Sequence, residues 1–392
     1  MKHAVVLDIG SSKVVSICAG RVGQDGMAVH GADVRTYSGY RCGSFSDVKD
    51  LQHAITESLE ALQRECGFRL REAAITVPAP FSKLHIGTGS LSFESIPKRI
   101  TGTDIDMLIN KSLPEDNSAG YRLIHSTPYS YVLDGVTMQE LPADAAASRI
   151  TAMVSHVYVR EDFLNPVQDA VKQAGLLPGM CISAPLAQAL MLIPEKDRHT
   201  PCVLLDVGYT HTDVCVVLQS AIVAQDTLEI GGLHFANDLA YGLEITQSVA
   251  ELVKRRYVFS LDYQDSVELL RTPQGTRSVD RAHIQYILEE RAKELCFMVD
   301  DSMRDLGVDV RQSPILCLTG GGLAMMRGSR EYLEDMLGLK VRRDMPWMPR
   351  MNSPNYASAF GTMEFVLHTG SEDAIPQTEG GVLRRLKELF VK

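Results

Sequence analysis

The chain has 392 residues, which is enough for two domains with sizeable cores. Hydrophobic residues make up 45% and charged residues 22%, so the composition is that of a globular protein and excludes a disordered chain. The formal net charge of -10 argues against a nucleic-acid partner, because nucleic-acid-binding proteins present basic surfaces.

The first predicted elements are two apolar strands at 5–9 and 14–17, joined by a short polar turn. This pattern predicts a β-hairpin. A third strand is predicted at 28–34. Apolar residues then recur at helical spacing, which predicts a helix at 46–66 with Ser46 as its N-cap.

The pattern of predicted elements changes at residues 82–160, where short predicted strands surround one helix at 104–113. This stretch predicts a compact α+β insert. Beyond it, strands at 202–207 and 214–218 repeat the opening hairpin. The remaining predicted elements are helices at 161–174, 236–257, 280–306, 331–337 and 357–367 and a buried strand at 315–319.

The turn of the first hairpin carries the run Asp8-Ile9-Gly10-Ser11-Ser12-Lys13. Glycine and serine in a tight turn present backbone N–H groups that can cradle phosphate oxygens, and the lysine adds positive charge. An aspartate at the strand end can hold Mg²⁺ through water, because this ion keeps much of its hydration. Taken alone, the run is also typical of an ordinary polar turn.

The second hairpin repeats these parts in the run Asp206-Val207-Gly208-Tyr209-Thr210-His211-Thr212-Asp213. Hydroxyl groups of Thr210 and Thr212 are available to phosphates or their waters. Two matching units in separate halves favour a shared phosphate site over two unrelated turns. Asp8 and Asp206 are therefore the candidate Mg²⁺ holders and the candidate catalytic residues.

A third element is the triplet Gly320-Gly321-Gly322, which follows the buried strand at 315–319. Three glycines let a flat group such as adenine or ribose approach the backbone closely. Glycines also serve any tight turn between a strand and a helix, so the triplet is a weak signal alone.

In their order, the three elements resemble the first phosphate loop, second phosphate loop and adenosine loop of the actin, Hsp70 and sugar kinase superfamily. Within this superfamily, the segments at 97–105, 125–135 and 352–361 resemble those of the FtsA family of bacterial cell division proteins. The resemblance covers nearly the whole chain. The resemblance implies an α/β, actin-like two-domain ATPase fold with an inserted α+β subdomain, 1C, replacing 1B. It also implies ATP and Mg²⁺ in the cleft between the halves.

The resemblance further implies roles and boundaries within the chain. Glu251 and Lys254 match the family's helix over the nucleotide, whose glutamate and lysine reach the ribose and adenine. The implied divisions are subdomain 1A at 1–81 and 161–198, 1C at 82–160, 2A at 199–240 and 314–369, 2B at 241–313, a linker at 370–381 and a C-terminal amphipathic helix at 382–392.

The sequence departs from the family pattern in two places. Tyr209 and His211 intrude into the second phosphate loop, which is usually glycine-rich. Where relatives often carry a glutamate that helps the attacking water, this chain has Ala184. We therefore expect ATP binding with weak or absent hydrolysis, since Gln188 and His211 would substitute for that glutamate only in part.

The end of the chain predicts an amphipathic helix that binds a membrane surface. Five of its six apolar residues fall within an arc of about 120°: Val382, Leu383, Leu386, Leu389 and Phe390. Val391 lies on the polar side. Its four basic residues and one acidic residue give it a charge of +3, which suits an anionic membrane. The basic residues are Arg384, Arg385, Lys387 and Lys392. Docking on the body or in a partner groove is the alternative for a lone tail. Members of the FtsA family end in such a helix, and this favours the membrane.

The resemblance implies an actin-like protein that polymerises with itself and tethers the ring of the division GTPase FtsZ to the membrane. The C-terminal peptide of FtsZ would dock on subdomain 2B, and later division proteins would be recruited. The expected location is the cytoplasmic face of the bacterial inner membrane at the division site, as a peripheral protein. Two alternatives are a PilM-like pilus-assembly scaffold ATPase that binds a peptide of an inner-membrane protein, and a small-molecule kinase on the same fold.

Overall fold

The computed structural model describes residues 3–369 apart from 24–25, 94–96, 116–118, 260, 262, 264–265, 273–274, 310–311, 313 and 347–350. The predicted linker at 370–381 and the predicted amphipathic helix at 382–392 lie outside the described residues. So do the membrane-facing residues predicted within that helix.

The chain begins with the hairpin that the sequence predicts. Its first elements are β1 (His3–Ile9), β2 (Lys13–Val22), β3 (Gly26–Thr36), β4 (Tyr40–Arg41), β5 (Ser44–Phe45), α1 (Val48–Cys66) and β6 (Glu72–Val77). Strands β1 and β2 pair antiparallel, and β2 pairs with β3 in the same way. The N-cap prediction for α1 was wrong by one residue. The side chain of Asp47, not Ser46, accepts hydrogen bonds from the first helical N–H groups.

The insert forms its own sheet of long strands rather than the short ones predicted. Its elements are β7 (Ser82–Ser92), β8 (Lys98–Arg99), α2 (Gly102–Lys111), β9 (Tyr121–Leu133), β10 (Val136–Met138), β11 (Ala146–Ala147) and β12 (Arg149–Arg160). The sheet order is β10-β9-β12-β7. One helix, α2, packs against this sheet and buries Leu108 and Ile109 in the core of the insert.

The chain then returns to the first half through α3 (Glu161–Gln173), β13 (Leu177–Ser183) and α4 (Ala184–Leu192). Strand β13 completes a five-stranded sheet in the order β13-β6-β1-β2-β3. Helices α1 and α3 cover one face of it, because their apolar stripes share a core with β1 and β6. The carboxyl end of β1 and the turn after it are thereby fixed at one edge of the first half.

The second half contains a five-stranded sheet with the same strand arrangement as that of the first half. Its elements, with the last helix of the chain, are β14 (Cys202–Val207), β15 (Thr212–Leu218), β16 (Ala221–Leu228), α5 (Gly232–Gly242), α6 (Gln247–Arg256), β17 (Val267–Thr272), β18 (Gly275–Asp280), α7 (Arg281–Asp305), β19 (Leu316–Thr319), α8 (Ser329–Leu337), β20 (Val341–Arg342) and α9 (Ala357–Thr369). The order β16-β15-β14-β19-β20 matches β3-β2-β1-β6-β13 strand for strand. The single helix predicted at 236–257 was wrong. A turn between α5 and α6 divides it, with Glu244 at a positive φ of 49°.

The last helix, α9, crosses back to the first half. It packs against α4, and its Ala359, Phe360 and Met363 share a core with Val6 and Val15 of the first sheet. The sequence-based boundaries assign 314–369 to subdomain 2A, yet these contacts lie in the first half. This crossing places the segment before α9 beside the turn between β1 and β2.

Candidate functional site

The two predicted phosphate turns have the same backbone geometry. In the first, the N–H of Gly10 donates to the carbonyl of Lys13 at 2.9 Å, and in the second the N–H of Gly208 donates to the carbonyl of His211 at 2.9 Å. Each turn joins two antiparallel strands. Lys13 and His211 are therefore equivalent positions, as are the two aspartates at the strand ends.

Asp8 lies at the first turn and is only 6% exposed. Its Oδ2 accepts a hydrogen bond from the hydroxyl of Ser358 at 2.8 Å. Burial raises the pKa of Asp8 to about 6, although this hydrogen bond and the charge of Lys13 oppose the shift. A carboxylate held in this way gains from a nearby cation, which would compensate for its lost hydration.

Lys13 supplies positive charge at the same turn. Its Nζ lies 4.3 Å from the centre of the Tyr356 ring, within the range of a cation–π interaction. Burial lowers the pKa of Lys13, while the carboxylate of Asp8 raises it in part. Tyr356 and Ser358 belong to the segment at 352–361 that carried the family resemblance, but the sequence had given neither residue a role.

Asp206 is the counterpart of Asp8 at the second turn. Its Oδ2 accepts a hydrogen bond from Nε2 of Gln188 at 2.7 Å. Burial, followed by the charge of Asp213, raises the pKa of Asp206 to about 6, and Asp8 adds to this from the first half. Oε1 of Gln188 has no hydrogen-bond partner among the described residues, and Gln188 itself is only 2% exposed.

His211 takes the position that Lys13 holds in the first turn. Its Nε2 lies 3.5 Å from Oδ2 of Asp213, and its Nδ1 lies 3.2 Å from the hydroxyl of Thr210. Burial alone would lower the pKa of His211, but nearby carboxylates, Asp213 first among them, raise it above the ordinary histidine value. The second turn thus carries a histidine–aspartate pair in place of a lysine.

The two turns meet across the cleft. The backbone N–H of Thr210 donates to the hydroxyl oxygen of Ser11 at 3.3 Å. Other predicted phosphate contacts are engaged within their own half. The hydroxyl of Thr212 donates to the carbonyl of Ile230 at 2.6 Å, and the carbonyl of Ser12 accepts from the N–H of Tyr37.

The predicted adenosine loop packs directly on the second turn. Gly320 has a φ of +90°, and a Cβ there would lie 2.1 Å from Oδ1 of Asp206. The N–H of Gly322 donates to the carbonyl of Val207 at 2.7 Å. A Cβ on Gly322 would lie 2.2 Å from the carbonyl oxygen of Gly208. Only glycine permits these approaches, so the triplet is required by backbone packing at the site.

Glu251 and Lys254 also lie close to the second turn. Nζ of Lys254 lies 2.7 Å from the carboxylate of Glu251 and donates to the carbonyl of Gly232 at 2.9 Å. The N–H of Gly232 in turn donates to the carbonyl of Gly208. Gly231 and Gly232 were not predicted as site residues, although two glycines between a strand and a helix indicate a tight turn.

The arrangement suits a polyphosphate with a hydrated cation. Each half contributes one buried carboxylate of raised pKa, beside one lysine and two turns with backbone N–H groups. No group of three or more histidine, cysteine or acidic side chains that could hold a metal occurs in the described part of the chain. Mg²⁺ fits this donor set, because it is commonly bound through one or two carboxylates, water and substrate phosphates.

Comparison of the sequence with known proteins shows which family it resembles. Residues 203–361 match the family model described as "FtsA: Cell division protein FtsA". The chain is 24% identical over 407 aligned positions to the cell division protein FtsA of Pseudomonas aeruginosa, covering 98% of this chain and 97% of that protein.

Two solved structures are similar to this chain in fold. The PilM–PilN type IV pilus biogenesis complex matches with a TM-score of 0.63 at 18% identity, over 93% of this chain and 98% of the other. MreB5 of Spiroplasma citri bound to ADP matches with a TM-score of 0.55 at 13% identity, over 93% and 96%. The predicted actin-like α/β fold is confirmed. Within the described residues, no helix has the length and apolar character needed to cross a bilayer.

Proposed function

We propose that this chain, which is similar to FtsA cell division proteins over nearly its whole length, binds ATP with Mg²⁺ in the cleft between its two halves. The observation that carries the proposal is the pair of matched turns, each with an aspartate of raised pKa, which meet through Ser11 and Thr210. MreB5, which shares the fold, was solved with ADP, and this supports a nucleotide as the ligand.

In this proposal the turns at 10–13 and 208–212 hold the phosphates. Their backbone N–H groups and Lys13 supply the positive potential. Asp8 and Asp206 hold Mg²⁺ through water, and the ion neutralises phosphate charge when it is bound. The adenosine part lies against the glycines at 320–322 and the ion pair of Glu251 with Lys254.

We propose further that hydrolysis is weak. Ala184 stands where a glutamate would help the attacking water, and Ala184 has no group that accepts a proton. Gln188 is the nearest polar substitute on the same helix. Its Nε2 is committed to Asp206 and its Oε1 is left to accept from water. An amide orients water without taking its proton, so nucleotide acts here mainly as a structural ligand or switch.

At the level of the cell, we propose that the protein polymerises and tethers the FtsZ ring to the cytoplasmic face of the membrane at the division site. The C-terminal peptide of FtsZ would dock on residues 241–313, and later division proteins would follow. The anchor would be the amphipathic segment at 382–392. A short helix binds a membrane weakly, so a filament would combine many weak anchors into firm attachment.

Calorimetric titration of ATP into the intact chain, with and without Mg²⁺, tests the nucleotide proposal. We expect saturable binding that is tighter with Mg²⁺. A Gly322→Ala variant that folds, shown by circular dichroism, should bind more weakly because its new Cβ moves the second turn. No binding of ATP or ADP by the intact chain in either condition would contradict the proposal.

A PilM-like scaffold is the second candidate, because the PilM–PilN complex is structurally similar over 93% of this chain. Such a protein would bind a peptide of a membrane protein instead of lipid. A small-molecule kinase is less favoured, because Ala184 leaves the site without a carboxylate base beside Pro185. Binding to lipid vesicles separates the first two functions.

A further inference from the structure

One segment of the first half reaches over both phosphate turns. Residues 37–45, here called the cleft hairpin, connect β3 to α1, and within them Tyr40 pairs with Phe45. The hydroxyl of Tyr37 donates to the carbonyl of Gly10 at 2.8 Å, which fixes the base of the hairpin to the first turn. The Tyr40 ring packs edge-on against Phe81 with 4.8 Å between ring centres. The hairpin is thus a fixed part of the first half.

The tip of the hairpin is held on the same side. Cys42 and Gly43 both have positive φ, of 49° and 62°. Nη1 of Arg160 donates to the carbonyl of Gly43 at 2.9 Å. This tight turn leaves Cys42 exposed at the mouth of the cleft.

From this base the hairpin contacts the second half at three points. The hydroxyl of Thr210 donates to the carbonyl of Tyr40 at 3.3 Å. The rings of Tyr40 and His211 lie 5.5 Å apart. Cys42 also lies beside Glu229, just beyond β16, whose carboxylate raises the pKa of the Cys42 thiol.

Beneath the hairpin, a hydrogen bond between the two turns engages groups that are expected to bind phosphate. The N–H of Thr210, which would donate to a phosphate, donates to the hydroxyl oxygen of Ser11 instead. A nucleotide that uses this N–H has to separate the turns. The turns separate only if the second half also releases its contacts with Tyr40 and Cys42.

We propose that the cleft hairpin is a gate for nucleotide. The hairpin must separate from Thr210, His211 and Glu229 before nucleotide enters or leaves the cleft. The inference rests on the proposed nucleotide binding. The gate determines the rate of exchange, because opening it breaks the two hydrogen bonds that Thr210 makes to Ser11 and Tyr40, and one ring contact. At about 1 kcal/mol for each hydrogen bond, the two together correspond to roughly a tenfold to hundredfold change in the opening equilibrium.

A cross-link across the gate tests this directly. Cys42 is native and exposed, so a Glu229→Cys variant places a second thiol opposite it on the second half. A short bismaleimide would join the two thiols after loading with a fluorescent ATP analogue and Mg²⁺. The control is the same variant with Cys42→Ser, because Cys66 and Cys181 are partly exposed and react in both proteins.

We expect the cross-linked protein to release the analogue at least about tenfold more slowly than the control, and when linked empty to take it up as slowly. Equal release and uptake rates in the two proteins would overturn the gate while leaving nucleotide binding intact. Failure of the intact chain to bind nucleotide would overturn both proposals.

A second pair of variants tests the gate without a cross-link. Thr210→Val keeps the shape of the side chain but removes its bond to Tyr40. Glu229→Gln removes the negative charge beside Cys42. Each should speed release several-fold. Release that is unchanged in both variants would contradict the gate.

Discussion

The two turns of the cleft share one backbone conformation and differ in what holds them. Side chains fix the first turn: Tyr37 bonds to Gly10, and Ser358 bonds to Asp8. At the second turn Gln188 bonds to Asp206, and backbone contacts of glycines are added: Gly232 donates to Gly208, and Gly322 donates to Val207.

The difference also concerns charge. The first turn carries Lys13, and the equivalent position of the second carries His211 paired with Asp213. The strand position that holds Asp213 in the second hairpin holds the apolar Val15 in the first. We infer that the first turn contributes mainly charge to the ligand and the second mainly exact backbone position. Substitutions in each turn test this contrast.

The largest effect is expected from Gly320→Ala. The new Cβ would lie 2.1 Å from Asp206 at a φ of +90°, so we expect a loss of about 3 kcal/mol or more in the free energy of unfolding. Gly338→Ala is the matched control, because Gly338 also has a positive φ but has open space around it. It should cost only about 1 kcal/mol, from backbone strain. Urea unfolding measures both, and equal losses would contradict the packing account.

The next effect concerns nucleotide affinity. Lys13→Ala removes the positive charge of the first turn, and we expect about a hundredfold loss in ATP affinity. His211→Ala removes a weaker contribution and should cost about tenfold or less. Titration of a fluorescent ATP analogue measures both variants. Losses of the same size would mean that the two turns contribute charge equally.

A stability gain is expected from Asp8→Asn, and likewise from Asp206→Asn. Each aspartate has a folded pKa of about 6, above its ordinary value, so ionisation costs the folded state free energy at neutral pH. Each amide should therefore stabilise the nucleotide-free protein by about 2 kcal/mol near neutral pH. The gain should fade as the pH falls through about 6 and disappear below 3.8, where the carboxyl is protonated in both states. A gain that is independent of pH would contradict the assignment.

The smallest effect is expected from Asp213→Asn. Asp213 raises the pKa of His211, so the pair stabilises the fold at pH values below the ordinary histidine pKa and loses this contribution as the pH rises through the folded pKa. The variant should lose about 1 kcal/mol in acid and less in alkali. Denaturant unfolding across this range measures the difference. A constant difference would show that the pair acts only through packing.

Much of this arrangement was predictable from the sequence. Alternating apolar runs around Gly10 and Gly208 predicted both hairpins, because such local patterns determine strand and turn together. The repeat of the two units predicted two related sheets. Glycines at 320–322 predicted a close backbone approach, and the structure shows which atoms require it.

The rest depends on contacts between residues far apart in the chain. Ser358 bonds to Asp8, which lies 350 positions away in the chain, and no local sequence pattern predicts this contact. The cleft hairpin, with Tyr40 over His211, was missed for the same reason. The break between α5 and α6 was missed because the apolar spacing continues through it, and only the turn at Glu244 interrupts the helix.

In the proposed tether, nucleotide in the cleft strengthens the attachment of the C-terminal segment to a membrane. Co-sedimentation with anionic lipid vesicles, with and without ATP and Mg²⁺, tests it most directly. Two variants belong beside the intact chain: Lys13→Ala in the cleft, and the double change Leu386→Glu with Phe390→Glu in the tail. We predict that the intact chain pellets more strongly with ATP, that the cleft variant loses this increase, and that the tail variant stays in solution. If all three proteins stay in solution under every condition, the tether account is contradicted and the PilM-like function takes its place.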